Sequence, residues 1–149
     1  MGSMKNLVVA LDLSPNSWEI IEQAHRLFTP AQEFHTWLLH IANPEPDFVG
    51  YEPGPQAVRD GQASDLHQQH QTLQSLAERL RETGADCTAL QIQGVFADKI
   101  LEEAEKLHAD LIVVGSHGKG VIKQLLLGST SNILVRLSQI PVLVIPTHD

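Results

Sequence analysis

Glycine and hydroxyl residues are concentrated in one stretch, residues 115–130, which reads G-S-H-G-K-G-V-I-K-Q-L-L-L-G-S-T. The apolar run L-I-V-V precedes this stretch, and apolar residues at helical spacing follow it. This order predicts a buried strand, a loop and a short helix whose N-terminus holds Gly128, Ser129 and Thr130. Backbone N–H groups and the positive end of a helix dipole favour an anion there, and glycines let the backbone approach it. We interpret the stretch as a phosphate-binding loop. The alternative is that its glycines only form turns and Ser129 only caps the helix.

A carboxylate, Asp12, directly follows the apolar run at 7–11, which is typical of a buried parallel strand. Ser14 suits the N-cap of the next helix and Pro15 suits its first position, so we predict a strand–loop–helix unit. A carboxylate at the carboxyl end of such a strand often accepts a hydrogen bond from a ribose hydroxyl. Asp12 is therefore a candidate ligand-binding residue, with an ordinary loop or capping role as the alternative.

The rest of the chain alternates further strand and helix patterns. Strands are predicted at 34–42, 87–93, 111–114 and 142–145, and helices at 64–83, 98–107 and 131–137. Five strands alternating with four helices indicate an α/β sheet with helices on both faces, and either common doubly wound strand order fits the pattern. Residues 43–63 contain four prolines and three glycines, so we predict a long flexible crossover loop there. We take 4–149 as a single domain and 1–3 as a remnant of cloning.

Charge and composition exclude several classes of function. Ten basic and eighteen acidic residues give a net charge of −8, which opposes a nonspecific nucleic-acid surface or an anionic membrane surface. The run of about 20 apolar residues that a spanning helix needs is absent from the sequence. The single Cys87 cannot form an internal disulfide, which is compatible with a reducing cytosol. We therefore expect a cytoplasmic protein with no nucleic-acid or membrane partner.

The glycine-rich stretch resembles a known family signature. Gly115, Gly118, nine further residues and then Gly128 and Ser129 match G-x2-G-x9-G-[S/T], the nucleotide signature of the ATP-binding universal stress proteins. The flanks L-I-V-V-G-S-H-G and P-V-L-V-I-P also resemble that family. The resemblance covers 5–146 and implies a doubly wound open sheet of five parallel strands in the order 3-2-1-4-5. In that order Asp12 and Gly115 lie on either side of one crevice.

The resemblance also implies a role for each site residue. Asp12 would accept hydrogen bonds from the ribose, Gly115 would let the ribose lie against the backbone, and Ile41 would pack beside adenine. Core packing is the alternative for Ile41. The expected phosphate ligands are Gly118, Gly128, Ser129 and Thr130. The expected ligand is ATP, with or without Mg²⁺, and we assign no catalytic residue and no metal site.

The last predicted strand, at 142–145, would be an edge of this sheet. It is apolar throughout, and an uncovered apolar edge favours pairing with another strand. In the resembling family this strand joins two subunits, so we expect a homodimer through it. The alternative is a monomer whose edge is shielded by Pro141, Pro146 and the residues that follow.

Three functions fit these observations. The first is a cytoplasmic universal stress protein that binds ATP and acts as a nucleotide-dependent regulator of an unknown protein partner in the stress response. The second is a weak ATP hydrolase or nucleotidyl enzyme. The chain lacks a Walker A run, an S-G-G-x-D-S loop and an H-I-G-H motif, and no Ser-His-Asp order or activated cysteine is evident. The third is a dimeric interaction scaffold that binds no nucleotide.

Overall fold

The computed structural model describes residues 5–27, 33–42, 56–116 and 129–147. In chain order the elements are β1 (Asn6–Leu11), α1 (Ser17–Arg26), β2 (His35–Ala42), α2 (Gln56–Arg81), β3 (Asp86–Gln93), α3 (Phe96–Lys106), β4 (Leu111–Gly115), α4 (Ser129–Leu137) and β5 (Val142–Ile145). None of the helices within these ranges has the length and apolar character needed to span a bilayer.

The five described strands form one parallel sheet in the order β3-β2-β1-β4-β5. This confirms both the doubly wound fold and the strand order that the family resemblance implies. The chain proceeds outward from β1 to β3 and then returns to place β4 on the other side of β1. The β1–β4 pair is therefore the switch point, where connections leave in opposite directions and a crevice opens beyond the carboxyl ends of the strands.

Alternating side chains of the central strands build two hydrophobic cores, one on each face of the sheet. On one face, Leu7 and Val9 of β1 pack with residues of α1 and α2, including the fully buried Ile21 and Leu73. On the other face, Val8 joins a cluster that contains residues of α3 and α4. Both faces of β1 are thus covered, which explains why its sequence is a continuous apolar run instead of an alternating one.

Asp110 holds β1 and β4 together at the amino edge of the sheet. Its carboxylate Oδ2 accepts the backbone N–H groups of Lys5 at 2.8 Å and Asn6 at 2.9 Å, and its own N–H donates to the Asn6 carbonyl at 2.8 Å. The N–H groups of Asn6 and Lys5 lower the pKa of the Asp110 carboxyl below its ordinary value. These bonds lie next to the Leu7–Leu111 pair that begins the β1–β4 register.

Two predicted helix starts are wrong. We predicted a loop over 43–63, but α2 begins at Gln56, so the last eight residues of that range are helical; 43–55 lie outside the described residues. The helix follows the last proline of the segment, and its one interior glycine, Gly61, costs only about 1 kcal/mol relative to alanine. Likewise α1 begins at Ser17, and Asn16, not Ser14, precedes it.

The ends of α2 and α3 depend on left-handed residues. Gly84, which follows the end of α2, has φ +96°, a left-handed conformation that glycine adopts without steric cost. After α3, His108 has φ +53°; its N–H donates to the Glu105 carbonyl, and the Ala109 N–H donates to the Ala104 carbonyl. This is the hydrogen-bond pattern of a Schellman motif, with histidine in the place that glycine usually occupies.

Candidate functional site

The candidate site lies where β1 and β4 end side by side. Val9 pairs with Val113, and the same register continued by two residues brings Leu11 level with Gly115. Asp12 and Ser116 are then the first residues beyond the two strands. Because neighbouring strands are about 4.8 Å apart, two strand ends separated by about a hundred residues of sequence lie side by side.

Asp12 shapes the turn that leaves β1. Its Oδ1 accepts the Ser14 N–H at 2.9 Å, and the side chain is half-buried. Leu13 between them has φ +61°, a left-handed conformation that costs a residue with a Cβ roughly 1–2 kcal/mol. Asp12 therefore has the structural role that we gave as the alternative. This strained turn directly follows β1, and backbone strain of this kind is often found at binding sites.

A buried hydroxyl fixes the N-terminal turn of α4 at the end of β4. Ser131 is 5% exposed, and its Oγ donates to the Gly115 carbonyl at 2.5 Å. The first residues of α4 are Ser129 and Thr130, two of the predicted phosphate ligands, so the helix N-terminus lies beside the carboxyl edge of the sheet. Backbone N–H groups at the start of a helix lack carbonyl partners within it, and they can donate hydrogen bonds to an anion.

A second group of hydroxyls joins β4 to the chain after β5. The Ser116 N–H donates to the Ile145 carbonyl at 2.8 Å, and its Oγ accepts the Thr147 N–H at 3.1 Å. The Ser116 and Thr147 hydroxyls are 3.3 Å apart. Neither Ser116 nor Ser131 is among the site residues predicted from the sequence. Two sequence signals could have indicated them. Ser116 is a polar residue directly after the apolar run of β4, and Ser131 is a serine in the first turn of the predicted helix.

Gly115 is held in close packing on the α1 side of the sheet. A Cβ at this position would lie 2.8 Å from Ile20 Cδ1 and 3.1 Å from Thr147 Cγ2. Ile20 is buried, so its Cδ1 methyl would have to move within the core to admit a side chain at 115. Packing thus favours glycine here, and its predicted contact with a ribose stays a prediction.

Ile41 lies one residue from the end of β2 and is 2% exposed. It packs with Val8, Leu39 and Val114 in the core on the α3 and α4 side. Core packing accounts for this residue, and an adenine contact stays a prediction. The remaining expected phosphate ligands, Gly118 and Gly128, lie outside the described residues. In the part of the chain that is described, no three histidine, cysteine, aspartate or glutamate side chains are grouped to hold a metal ion.

The fold and the site define a class of protein: a doubly wound α/β domain with a carboxylate, hydroxyl groups and a helix N-terminus around the crevice at its switch point. The sequence model of the universal stress protein family matches residues 4–146. The chain belongs to the universal stress protein family.

Relatives and solved structures support this membership. Universal stress protein A homolog 2 of Coxiella burnetii is 30% identical over 145 residues, with 97% of each chain covered. Universal stress protein MJ0531 of Methanocaldococcus jannaschii is 30% identical over 145 residues, which cover 95% of this chain and 81% of the relative.

Three solved structures share the fold. Hypothetical protein MJ0577 has a TM-score of 0.82 at 22% identity, with 98% of both chains covered. An Arabidopsis thaliana family protein with AMP bound has a TM-score of 0.71 at 21% identity, covering 97% of this chain and 92% of that one. A universal stress protein in complex with cAMP has a TM-score of 0.63 at 23% identity, covering 99% and 100%. At these identities the likeness is one of fold alone.

Proposed function

We propose that this protein binds an adenine nucleotide, with ATP as the preferred ligand, in the crevice between Asp12 and the N-terminus of α4. In this proposal the bound nucleotide regulates an interaction with another protein in a cytoplasmic stress response. The observation that carries the proposal is the Ser131–Gly115 hydrogen bond, because it holds the N-terminus of α4 at the strand end beside which Asp12 lies.

The chemistry of the crevice fits a nucleotide at both ends. A carboxylate is an acceptor for the two ribose hydroxyls, and a helix N-terminus is a donor site for phosphate. Asp12 follows β1, and the N-terminus of α4 lies beside the end of β4. In this proposal Asp12 contacts the ribose and the helix N-terminus contacts the phosphates of the same nucleotide. Two proteins of the same fold, solved with AMP and with cAMP, further favour an adenine nucleotide.

Substitutions at Asp12 test the ribose end. Asp12→Asn keeps an oxygen that can accept the Ser14 N–H but removes the charge, whereas Asp12→Ala removes both. A hydrogen bond to a charged group contributes roughly 1.5–3 kcal/mol, so Asp12→Ala should weaken ATP binding by roughly ten- to a hundredfold. We expect Asp12→Asn to weaken it by a smaller factor while the protein keeps its melting temperature.

Isothermal titration calorimetry with ATP and AMP measures both variants and the parent protein. Glu105→Gln, which removes an exposed charge on α3, is the matched control and should bind as the parent does. Tighter binding of ATP than of AMP supports a phosphate site at α4. Equal binding of the two would refute that half of the proposal. No heat with either nucleotide would favour the scaffold without nucleotide.

We further propose that the protein is a homodimer through β5. This strand is an edge of the sheet, and the adjacent helix α4 exposes Ile133, Val135 and Leu137, which are 40%, 48% and 63% accessible. A surface cavity of about 300 Å³ lies between the end of α4 and the start of β5, and a partner subunit would cover it. Exposed apolar groups next to an unpaired strand are typical of an interface between subunits.

The hydrogen-bond pattern of β5 allows a specific test of the dimer. The carbonyls of Pro141 and Ile145 face β4, where they accept the N–H groups of Ile112 and Ser116. By alternation the N–H of Val144 points away from β4, toward a partner strand. Val144→Pro removes that outward donor without removing a hydrogen bond to β4, and proline is tolerated at such an edge position. Sedimentation velocity should show a monomer for Val144→Pro and a dimer for Val144→Thr. A monomeric parent protein would refute the dimer.

A further inference from the structure

Three polar side chains form a hydrogen-bonded chain at the amino edge of the sheet, at the opposite end of the strands from the nucleotide crevice. The His35 Nδ1 lies 3.0 Å from the Asp86 Oδ2, and the His35 Nε2 lies 2.7 Å from the Thr88 Oγ1. His35 begins β2, and Asp86 and Thr88 belong to the edge strand β3. The strand register, not the spacing in sequence, brings them together, because His35 pairs with Asp86 and Trp37 pairs with Thr88.

The two hydrogen bonds fix the direction of the protons when His35 is neutral. A carboxylate can only accept, so the Nδ1 carries the ring proton and donates it to Asp86. The Nε2 is then an acceptor, and the Thr88 hydroxyl donates to it. This is the arrangement of a nucleophile, a general base and a group that orients the base, with both distances in the range that proton transfer requires.

The surroundings leave this group accessible and place apolar surface beside it. The His35 side chain is 22% exposed, and Thr88 is half-buried. Trp37 stands edge-on to the His35 ring with centroids 4.5 Å apart, and its indole N–H is anchored on Asn6 Oδ1 at 3.1 Å. A fixed aromatic ring beside a hydroxyl and a base suits a small aromatic ester or acyl donor.

We propose that Thr88 is a nucleophile for activated esters, with His35 as its general base and Asp86 as a positioning residue. The Thr88 Oγ attacks the acyl carbon, its proton passes to the His35 Nε2, and the bond from the acyl carbon to the leaving oxygen breaks. The proton then passes to the leaving oxygen, which departs as an alcohol or phenol. Water attacks the acyl-threonine by the same route in reverse, which releases the carboxylic acid and restores Thr88.

The expected rate is modest. General-base catalysis typically accelerates a reaction by 10²–10⁴-fold. We expect an acceleration of about 10²-fold here, because Asp86 is 83% exposed and solvent screens its charge. This activity does not depend on the proposed nucleotide site, because none of its three residues lies at the carboxyl edge of the sheet.

The probe is p-nitrophenyl acetate, with release of p-nitrophenol measured together with peptide mapping of the acetylated residue. Thr88→Val keeps the β-branched shape but removes the hydroxyl, and His35→Gln removes the base; each should lower the rate by about 10²-fold. The double variant should be no slower than either single variant, because the two residues act as one unit. Thr88→Ser should retain the activity. Thr72→Val, which removes an exposed hydroxyl on α2, is the matched control and should leave the rate unchanged.

Asp86→Asn should lower kcat several-fold with KM unchanged, because Asp86 orients the base without touching the ester. Melting temperatures of all variants show whether each remains folded. The proposal is supported by an acetyl group on Thr88 in the parent protein that is missing in His35→Gln. It is overturned if Thr88→Val reacts as fast as the parent, or if acetyl groups are found only on lysines.

Discussion

Replacing Ser131 with alanine removes the hydroxyl that joins α4 to the end of β4. The Ser131 Oγ donates to the Gly115 carbonyl at 2.5 Å, Ser131 is 5% exposed and Gly115 is half-buried, so water can replace the lost donor only in part. A buried acceptor that loses its donor costs roughly 1–3 kcal/mol. Alanine is the better helix former by about 0.5 kcal/mol. The free energy of unfolding should therefore fall by about 0.5–2.5 kcal/mol.

Urea unfolding followed by the fluorescence of Trp18 and Trp37 measures this difference. For a chain of this length each kcal/mol shifts the melting temperature by about 2–4 °C, so a thermal scan gives a second reading. Asn132→Ala is the matched control, because Asn132 is exposed on the same turn of α4 and its replacement brings a similar gain in helix propensity. The reasoning is refuted if Ser131→Ala is as stable as Asn132→Ala.

The same substitution connects stability to binding. If the N-terminus of α4 is a phosphate site, its displacement should weaken the binding of ATP more than the binding of AMP, because only ATP extends a triphosphate toward the helix. Calorimetry on Ser131→Ala and Asn132→Ala compares the two losses. An equal loss for ATP and AMP would indicate that Ser131 supports the fold alone.

Three further predictions concern residues away from the crevice. Burial lowers the pKa of the His25 imidazole below its ordinary 6.5, so the unfolded chain binds a proton first as the pH falls through that value. The free energy of unfolding should therefore decline from pH 7.5 toward 5.5. In urea unfolding, His25→Gln should make this decline with pH less steep. Burial raises the pKa of the Cys87 thiol to about 11, partly offset by Arg81, so iodoacetamide should label native protein only slowly and urea-unfolded protein completely; rapid native labelling would contradict the packing around Cys87. His108 has φ +53°, so His108→Gly should raise the free energy of unfolding by about 1 kcal/mol and His108→Val should lower it; equal melting temperatures for the two would refute the strain.

The sheet could be predicted from the sequence because buried parallel strands have a distinct pattern. Continuous apolar runs such as 7–11 and 142–145 occur where both faces of a strand are covered, and the helices between them exclude hairpins. The strand order could be predicted only from the family resemblance, because an apolar run does not show which strands lie beside it in the sheet. The helix starts were wrong because Ser14 and Gly61 carry strong local preferences that their surroundings override.

The sequence and the family resemblance predict that Asp12 and Gly115 lie at neighbouring strand ends, as the register of β1 and β4 shows, but they do not predict the hydrogen bonds that support this arrangement. The sequence predicts Ser131 only as the first residue of a helix, because a serine near a helix start normally suggests a cap. Its bond to Gly115 spans 16 residues and depends on how α4 lies against β4. The Asp86–His35–Thr88 group had no sequence signal at all, because strand register alone places these side chains on one surface.

The amino and carboxyl ends of the strands are coupled through the register of β1 and β4. At the amino edge Asp110 accepts the N–H groups of Lys5 and Asn6, which fixes Leu7 opposite Leu111. A slip of one residue would turn every side chain of β1 to the other face and would move Asp12 away from the end of β4. The position of Asp12, the residue proposed to bind the ribose, thus depends on hydrogen bonds at the other end of β1. For this reason residues far from the crevice take part in building it.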